Sequence, residues 1–388
     1  MGMKNQEIKL RQEAINKCLS GLSPSAVASQ MGRTKVWVCK WLKRYKQNPT
    51  GSWYAEFSRK PHKSTGKTSA VVEEQILNIR RQLQQNKYSQ QGALSIQYAF
   101  QALDQPVPST WTINRVLKRN NLIQGAQKFK KTKAYPEHYI SVQQIDFVGP
   151  RYIKNDGRFY SFNIIDVPTH IAGLYPSRSS TGEDALNGIV KFWKEFGVPD
   201  CIQMDNALCF RGSNLHARSL NRFLRFVLSQ GVVPVFIPKG EPWRNGVIER
   251  FNDTFDKKFI RSQTFENFEQ IVEEAEIFKA FHNHHHRYTC LKGRTPNQAF
   301  SDSGLPSLKL SPLTVPSEKI LMEGGIILFI FFLRSDCLID VLNTKFSIDP
   351  VLQYSYITAR LNISTHILTI ERDQIIYHMF PFEMPTDW

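Results

Sequence analysis

The sequence predicts a multidomain protein: an N-terminal all-α tandem helix-turn-helix, a central α/β core with a mixed sheet flanked by helices, and a small C-terminal all-β barrel-like module. Three observations lead there. Residues 1–135 hold 24 Lys and Arg against 6 Asp and Glu, the remainder 26 against 28, so the net charge of +16 belongs to one end of the 388-residue chain. Apolar periodicity is helical to about residue 120 and changes to strand-length runs after Tyr135. Beyond Lys319, short β-branched and aromatic runs alternate with turns at Ser335-Asp336 and at 371–373.

The elements follow in order. Residues 6–20 read as a helix with Ile8, Ala14, Ile15 and Cys18/Leu19 inward, ended by Gly21. Ser23 caps a second helix, with Pro24 in its first turn and Ala26, Val27 and Met31 on its apolar face. After Gly32, Thr34 caps a third, roughly 34–47, carrying Val36, Trp37, Val38, Trp41 and Leu42. Helix, short Gly-containing turn, helix is the helix-turn-helix order, whose second helix enters a major groove. Arg33, Thr34, Lys35, Lys40, Lys43 and Arg44 are therefore candidate DNA contacts in a domain spanning 1–48. Residues 49–68 form a basic linker. The pattern repeats over 69–125, a second helix-turn-helix with or without a wing. Its helices are 71–83, 92–103 and one capped by Ser109 with Trp111, Ile113, Val116 and Leu117 inward. Thr110, Arg115, Lys118 and Arg119 are its candidate DNA contacts.

A basic hinge, 126–138, leads to the core at 139–300. Strands at 142–148, 160–165 and 171–175 precede a helix at 182–196, a strand at 201–204, a helix at 219–230 and a strand at 233–237. A Pro/Gly-rich loop, 238–246, opens another helix. A linker, 301–318, and the C-terminal β module, 319–388, complete the chain. No run reaches the ~18 apolar residues of a membrane helix, and the apolar stretch 325–333 reads as a strand for a core or a protomer interface. The first residues show no signal peptide. None of the six cysteines forms a C-x-x-C pair. Reduced thiols in a cytoplasmic, nucleoid-associated protein, away from membranes, are expected.

Chemistry concentrates in three carboxylates. Asp146 lies at a strand end in QQIDFVG, Asp205 ends a second strand in CIQMDNA, and Glu249 follows GEPWRNG into a helix. Strand ends cluster at one edge of a sheet. Carboxylates gathered there repel one another unless a cation sits between them. Hard oxygen ligands suit Mg²⁺ or Mn²⁺, and two ions about 3.5–4 Å apart can stabilise both oxygens of an in-line phosphoryl displacement.

In these flanking motifs, and in VPVFIPKGEPWRNGVIERFN and HNHHHRYTCLKGRTPNQAF, the chain resembles DDE transposases of bacterial insertion sequences with a retroviral-integrase-type core, over about 140–300. The resemblance implies a ribonuclease H-like fold and makes Asp146, Asp205 and Glu249 the catalytic residues and ligands of two Mg²⁺ or Mn²⁺ ions. It implies hydrolysis at an element end followed by attack of the freed 3′-hydroxyl on target DNA. Double-stranded DNA and a homo-oligomer assembled on it are the implied partners. Asn206, Asn245 and Gly246 become active-site loop residues. Three positions depart from the family pattern. Ala207 stands where D-N-G has glycine, which would cost roughly 1 kcal/mol if that backbone needs φ > 0. The interval between Asp205 and Glu249, 43 residues, is longer than usual, with the surplus near 212–219. Asp256 stands where a Lys or Arg is common, beside Lys257 and Lys258; Lys257 is kept as a DNA contact. These departures leave room for a silenced copy that only binds DNA.

Other polar clusters read as structure. Asp166 reads as a turn former, and Glu273, Glu274 and Glu276 as a solvated helix face. His282, His284, His285 and His286 near Cys290 lack the second cysteine of a zinc finger.

Overall fold

Short polar side chains set where the helices begin. Each accepts an orphan N–H of the first turn, worth about 1 kcal/mol. In the computed structural model, which describes residues 2–56, 68–123, 141–212, 216–303, 324–385 and positions 313, 315 and 320, Ser23, Thr34, Ser69 and Ser109 all do this. The chain divides into two compact units, Met1–Thr68 and Ser69–Trp388.

In the first unit, α1 (Gly2–Leu19), α2 (Pro24–Gln30) and α3 (Lys35–Gln47) pack around Ala14, Val27, Ala28 and Val38, with Trp41 buried. Leu19 is exposed, not inward, and Val36, expected in the apolar set, is 79% exposed. The start of the expected linker is held on the bundle: Trp53 meets Tyr45 edge-on at 5.3 Å, and Arg11 donates to the Tyr54 carbonyl at 2.8 Å and to Glu56 at 3.1 Å. The rest of that linker, 57–67, lies outside the described residues.

The second unit begins with α4 (Ala70–Gln85), α5 (Ala93–Ala102) and α6 (Thr110–Arg119), which bury Ile76, Ile96, Phe100, Ile113, Val116 and Leu117 together. Trp111 does not join them. It is 66% exposed, with the Arg115 guanidinium 4.4 Å from its ring centre. The basic hinge, and any wing after residue 123, fall outside the described residues.

The core sheet starts as an antiparallel meander of β1 (Val142–Ile153), β2 (Gly157–Asp166) and β3 (Ala172–Ser177). After α7 (Gly182–Phe196), β4 (Cys201–Met204) pairs parallel with β1. After α8 (Leu208–Arg211) and α9 (Arg222–Ser229), β5 (Val233–Phe236) pairs parallel with β4. This is the expected mixed sheet flanked by helices. Then come α10 (Gly246–Phe255), a π-helical turn at Asp256–Ile260, α11 (Phe268–His285) and α12 (Pro296–Asp302).

The C-terminal strands are not a separate barrel. β6 (Ile326–Phe332) pairs parallel with β5 through Val235↔Leu328 and Phe236↔Phe329. β7 (Leu338–Val341) and β8 (Thr344–Ser347) form a hairpin of their own. β9 (Tyr356–Asn362) pairs antiparallel with β6, and β10 (Ile367–Arg372) and β11 (Ile375–Pro381) follow. The result is one nine-stranded sheet, β11-β10-β9-β6-β5-β4-β1-β2-β3. The reason is visible in β6, an unbroken apolar run buried over Ile327–Ile330. Such a run suits a central strand covered on both faces, not a strand that alternates in and out. A single apolar cluster accordingly runs from Ile145, Phe162 and Phe223 to Phe329, Ile357 and Leu368.

Candidate active site

Register brings two of the carboxylates level. β1 and β4 pair in parallel as Val142↔Cys201, Gln143↔Ile202 and Gln144↔Gln203. Asp146 and Asp205 each follow their paired glutamine by two residues. With neighbouring strands about 4.8 Å apart and a side-chain period of two, they leave the sheet side by side. Asp205 is the first residue beyond β4, as expected. Asp146 is not at a strand end: β1 continues through it, opposite Asn163, to a bulge between Val148 and Arg151.

The same two glutamines fix the third carboxylate. Gln144 Oε1 accepts from the Val247 and Ile248 N–H groups, at 3.1 and 3.0 Å, capping the first turn of α10. Gln203 Nε2 donates to the Arg244 carbonyl at 2.8 Å and to Asn245 Oδ1 at 3.0 Å. Glu249 therefore enters on a helix start latched to both strands. Asn245 is buried in this latch, its Nδ2 facing the Ile145 carbonyl at 3.5 Å. Asn206 ties the loop after Asp205 to the Ile237 carbonyl at 2.6 Å. Gly246 has ordinary helical φ, and a Cβ there would meet nothing.

Electrostatically the site is strained toward its neutral form. Burial, then Asp205 and also Glu249, push the Asp146 carboxyl up to about 7, against opposing hydrogen bonds from Phe147 and Asn252. Burial also raises Asp205 and Glu249. Asn252, on α10, donates to Asp146 Oδ2 at 2.8 Å; its own oxygen accepts from Asn163 at 2.8 Å, and Ser161 donates to Asn163 at 2.6 Å. This relay, with Gln144 and Gln203, escaped the sequence reading. The spacing of three residues between Glu249 and Asn252 was its available signal.

Among the described residues, no group of three His, Cys, Asp or Glu side chains converges closely enough to enclose a metal ion. The donor set still suits one. Asp146 Oδ2 accepts from Asn252, and Asp205 Oδ1 accepts from the Ala207 N–H at 3.0 Å. Glu249 has no hydrogen-bond or ion-pair partner among the described residues. Half-buried carboxylates left in mutual repulsion match hard divalent cations.

The departures from the family pattern have structural answers. Ala207 sits at φ −62°, ψ 146°, so no left-handed backbone is needed and the expected cost vanishes. The longer interval reaches the C-terminal hairpin region: Arg218 N–H donates to the Leu342 carbonyl at 2.8 Å, and Asn343 donates to the His216 carbonyl at 3.2 Å. Asp256 is neutralised by Arg151 at 2.9 Å and Arg261 at 2.5 Å. Lys257 points to Asp253 at 2.7 Å, and Lys258 to the Ser89 carbonyl at 2.6 Å.

The candidate DNA contacts divide in two. Lys35, Lys40 and Lys43 are exposed on α3 around Val36, and Thr110, Arg115 and Lys118 are exposed on α6. Thr34 caps α3, while Arg33 pairs with Glu7, Arg44 binds the Ala55 carbonyl, and Arg119 pairs with Glu73 at 3.0 Å. Asp166 forms the expected turn, accepting from the Thr169 N–H and hydroxyl. Glu274 is not merely solvated: it binds Lys87 and the Tyr88 hydroxyl. None of the six cysteines is in a disulfide.

Residues 230–296 match the family model "Integrase core domain", and residues 5–53 match "Homeodomain-like domain". The "Putative integrase ORF3" of Spiroplasma virus SpV1-C74 is 23% identical over 193 residues, covering 47% of this chain and 53% of that protein. The chain thus spans about half the length of this curated relative. Among solved structures, the HTLV-2 integrase catalytic core domain in complex with magnesium is 14% identical, covering 42% of this chain and 97% of that one, with a TM-score of 0.30. A simian T-cell lymphotropic virus intasome in complex with PP2A regulatory subunit B56 gamma is 14% identical, over 74% and 93% of the two chains, with a TM-score of 0.36. Two separate segments of the chain are thus similar to known models, an integrase core at 230–296 and a homeodomain-like domain at 5–53.

Proposed function

We propose that the protein is a DNA transposase that hydrolyses a phosphodiester at an element end and transfers the freed 3′-hydroxyl into target DNA. The observation that carries this is the level placement of Asp146 and Asp205 by the Gln144↔Gln203 pairing, with Glu249 latched beside them. Asp146, Asp205 and Glu249 would hold two Mg²⁺ or Mn²⁺ ions. When bound, these would polarise the phosphate and favour deprotonation of the attacking oxygen. The chain's own part is positional: Asn252 orients Asp146, and the two glutamines orient the helix that carries Glu249. No helix among the described residues is long and apolar enough to cross a membrane. Double-stranded DNA, gripped by Lys35, Lys40 and Lys43 on α3 and by Arg115 and Lys118 on α6, is the partner, and binding weakens steeply with salt. Two element ends require at least two protomers assembled on the DNA, in the cytoplasm at the nucleoid.

The test is cleavage and strand transfer on a labelled duplex of the element's own terminal sequence with Mg²⁺ or Mn²⁺, beside Asp205→Asn and Glu249→Gln. Metal-dependent nicking followed by a joined product, absent in both variants, supports the reading. Tight binding without nicking in either metal leaves a silenced DNA-binding copy. The backbone at Ala207 already removes one ground for that alternative.

A further inference from the structure

We propose that Trp243 is a stacking platform for an unpaired nucleobase next to the scissile phosphate; this rests on the DNA-cutting reading of the same site. Trp243 lies in the 3₁₀ turn Pro242–Asn245 and is 49% exposed. Its ring meets no aromatic, cationic or hydrogen-bonding partner among the described residues. A large indole left half in water is costly unless something covers it.

What surrounds Trp243 keeps it from folding back. Glu241 and Arg244, with side chains only 14% and 5% exposed, form an ion pair at 2.5 Å on either side of it. The Tyr356 hydroxyl donates to Glu241 at 2.8 Å, and the Arg244 guanidinium lies 4.3 Å from the Tyr356 ring centre. Tyr356 belongs to β9, so the C-terminal strands brace this turn directly. The Arg244 carbonyl accepts from Gln203 and Gln144, and Asn245 is buried. Glu241, Arg244 and Asn245 are pinned, and the Trp243 ring is left to solvent. A turn fixed before its ligand arrives leaves only the indole's own rotamers to be ordered, which lowers the entropic cost of binding.

The location selects the ligand. The glutamines that hold the turn stand two residues before Asp146 and Asp205, so the turn sits at the carboxylate edge. A strand whose phosphate reaches that edge must bring its flanking base to the same place. Lys239, exposed four residues before Trp243 and without an ion pair among the described residues, offers a cation to the backbone of that strand. Every base has a π-face, so an aromatic platform reads none in particular and needs only that the base be unpaired.

The experiment uses the full-length protein and a duplex of the element's terminal sequence with 2-aminopurine placed singly at each position around the cut. Fluorescence is read with wild type, Trp243→Ala and Trp243→Phe, all in an Asp205→Asn background so that stacking is seen without chemistry. The expected result is quenching at one position by wild type and by Trp243→Phe, lost in Trp243→Ala, and about five- to a hundredfold weaker cleavage by Trp243→Ala with Asp205 intact. An abasic substrate at that position should lose the difference between wild type and Trp243→Ala. No Trp243-dependent quenching at any position, or an equal loss on intact and abasic DNA, overturns the proposal while leaving transposase activity standing. Trp243-dependent quenching in a protein that never cleaves supports the platform and sinks the transposase reading instead.

Discussion

The second unit holds two polar clusters, one buried and one half-buried, and they differ in how they are partnered. At the end of α11, Asn283 takes the place of a neighbouring strand, accepting from the Ala172 N–H and donating to the Ala172 carbonyl, both at 3.0 Å. His282 reaches the His170 carbonyl at 3.2 Å, and His286 reaches the Tyr88 carbonyl at 2.8 Å. These groups are neutral and partnered. At the carboxylate edge, by contrast, Asp146 faces Asp205 and Glu249, and none of the three is in an ion pair among the described residues. A satisfied polar cluster holds a fold together; a cluster of like charges is retained at a cost that something bound must offset. The histidine-rich run, read from sequence as structure, is structure: His282 and His286 anchor the turn before β3 and the segment around Tyr88.

The comparison can be broken by exchanging effects. Asp205→Asn or Glu249→Gln should lower cleavage more than about a thousandfold, yet leave the metal-free melting temperature unchanged or higher, because repulsion is removed. A clear loss of stability in calorimetry would put these carboxylates with the structural cluster. Asn283→Ala should do the reverse, costing about 2–4 kcal/mol in urea unfolding by stranding two buried backbone groups, while a folded sample keeps its activity per molecule. A near-neutral result would mean water replaces the amide.

The histidine cluster also predicts an acid limit. Burial lowers His282 well below its usual range and holds His286 down to about 4. Below about 6.5 the unfolded rings take up protons that the folded rings refuse. Stability from both rings is therefore largely present above about pH 6.5 and falls as pH drops toward 4, by about 2–3 kcal/mol from His286 alone. Denaturant melts at pH 7.5, 5.5 and 4.5 should show the fall, and His286→Gln should lessen it, leaving the share that belongs to His282. An unchanged slope in that variant would assign the effect elsewhere. The smallest change is expected for Asn252→Ala, which unmoors Asp146 without removing it: the metal concentration needed for half-maximal activity should rise about tenfold or somewhat more. An unaltered metal titration would make the Ser161–Asn163–Asn252 relay incidental.

How much of this could be read in advance follows from how far each signal reaches. Ser23, Thr34 and Ser109 cap helices through bonds to residues three ahead, so those helix starts were legible; Ser69 caps α4 in the same way but went unread. Asp205 at the end of β4 was legible for the same reason. Side-chain burial was less so: Val36 and Trp111 fit the apolar periodicity of their helices, but α3 and α6 turn those positions outward. The partner of β6 was not legible, since nothing local says that Leu328 will lie beside Val235. Nor was the glutamine latch, because Gln144 and Gln203 acquire meaning only through the register of two strands far apart in sequence.

Placing β6 between β5 and β9 has a consequence for how the protein is made. The ribosome finishes every residue of the carboxylate trio long before it reaches the strand that closes the sheet beside them. Until then β5 offers an open edge, with bare N–H and C=O groups, next to apolar surface that Phe329, Ile357 and Leu368 will later cover. A product cut short before residue 326 would keep all three acids and lack both its missing edge and the tyrosine that braces the loop before Glu249. Such a fragment should aggregate rather than cut DNA, because the exposed edge of β5 would be free to pair with other chains.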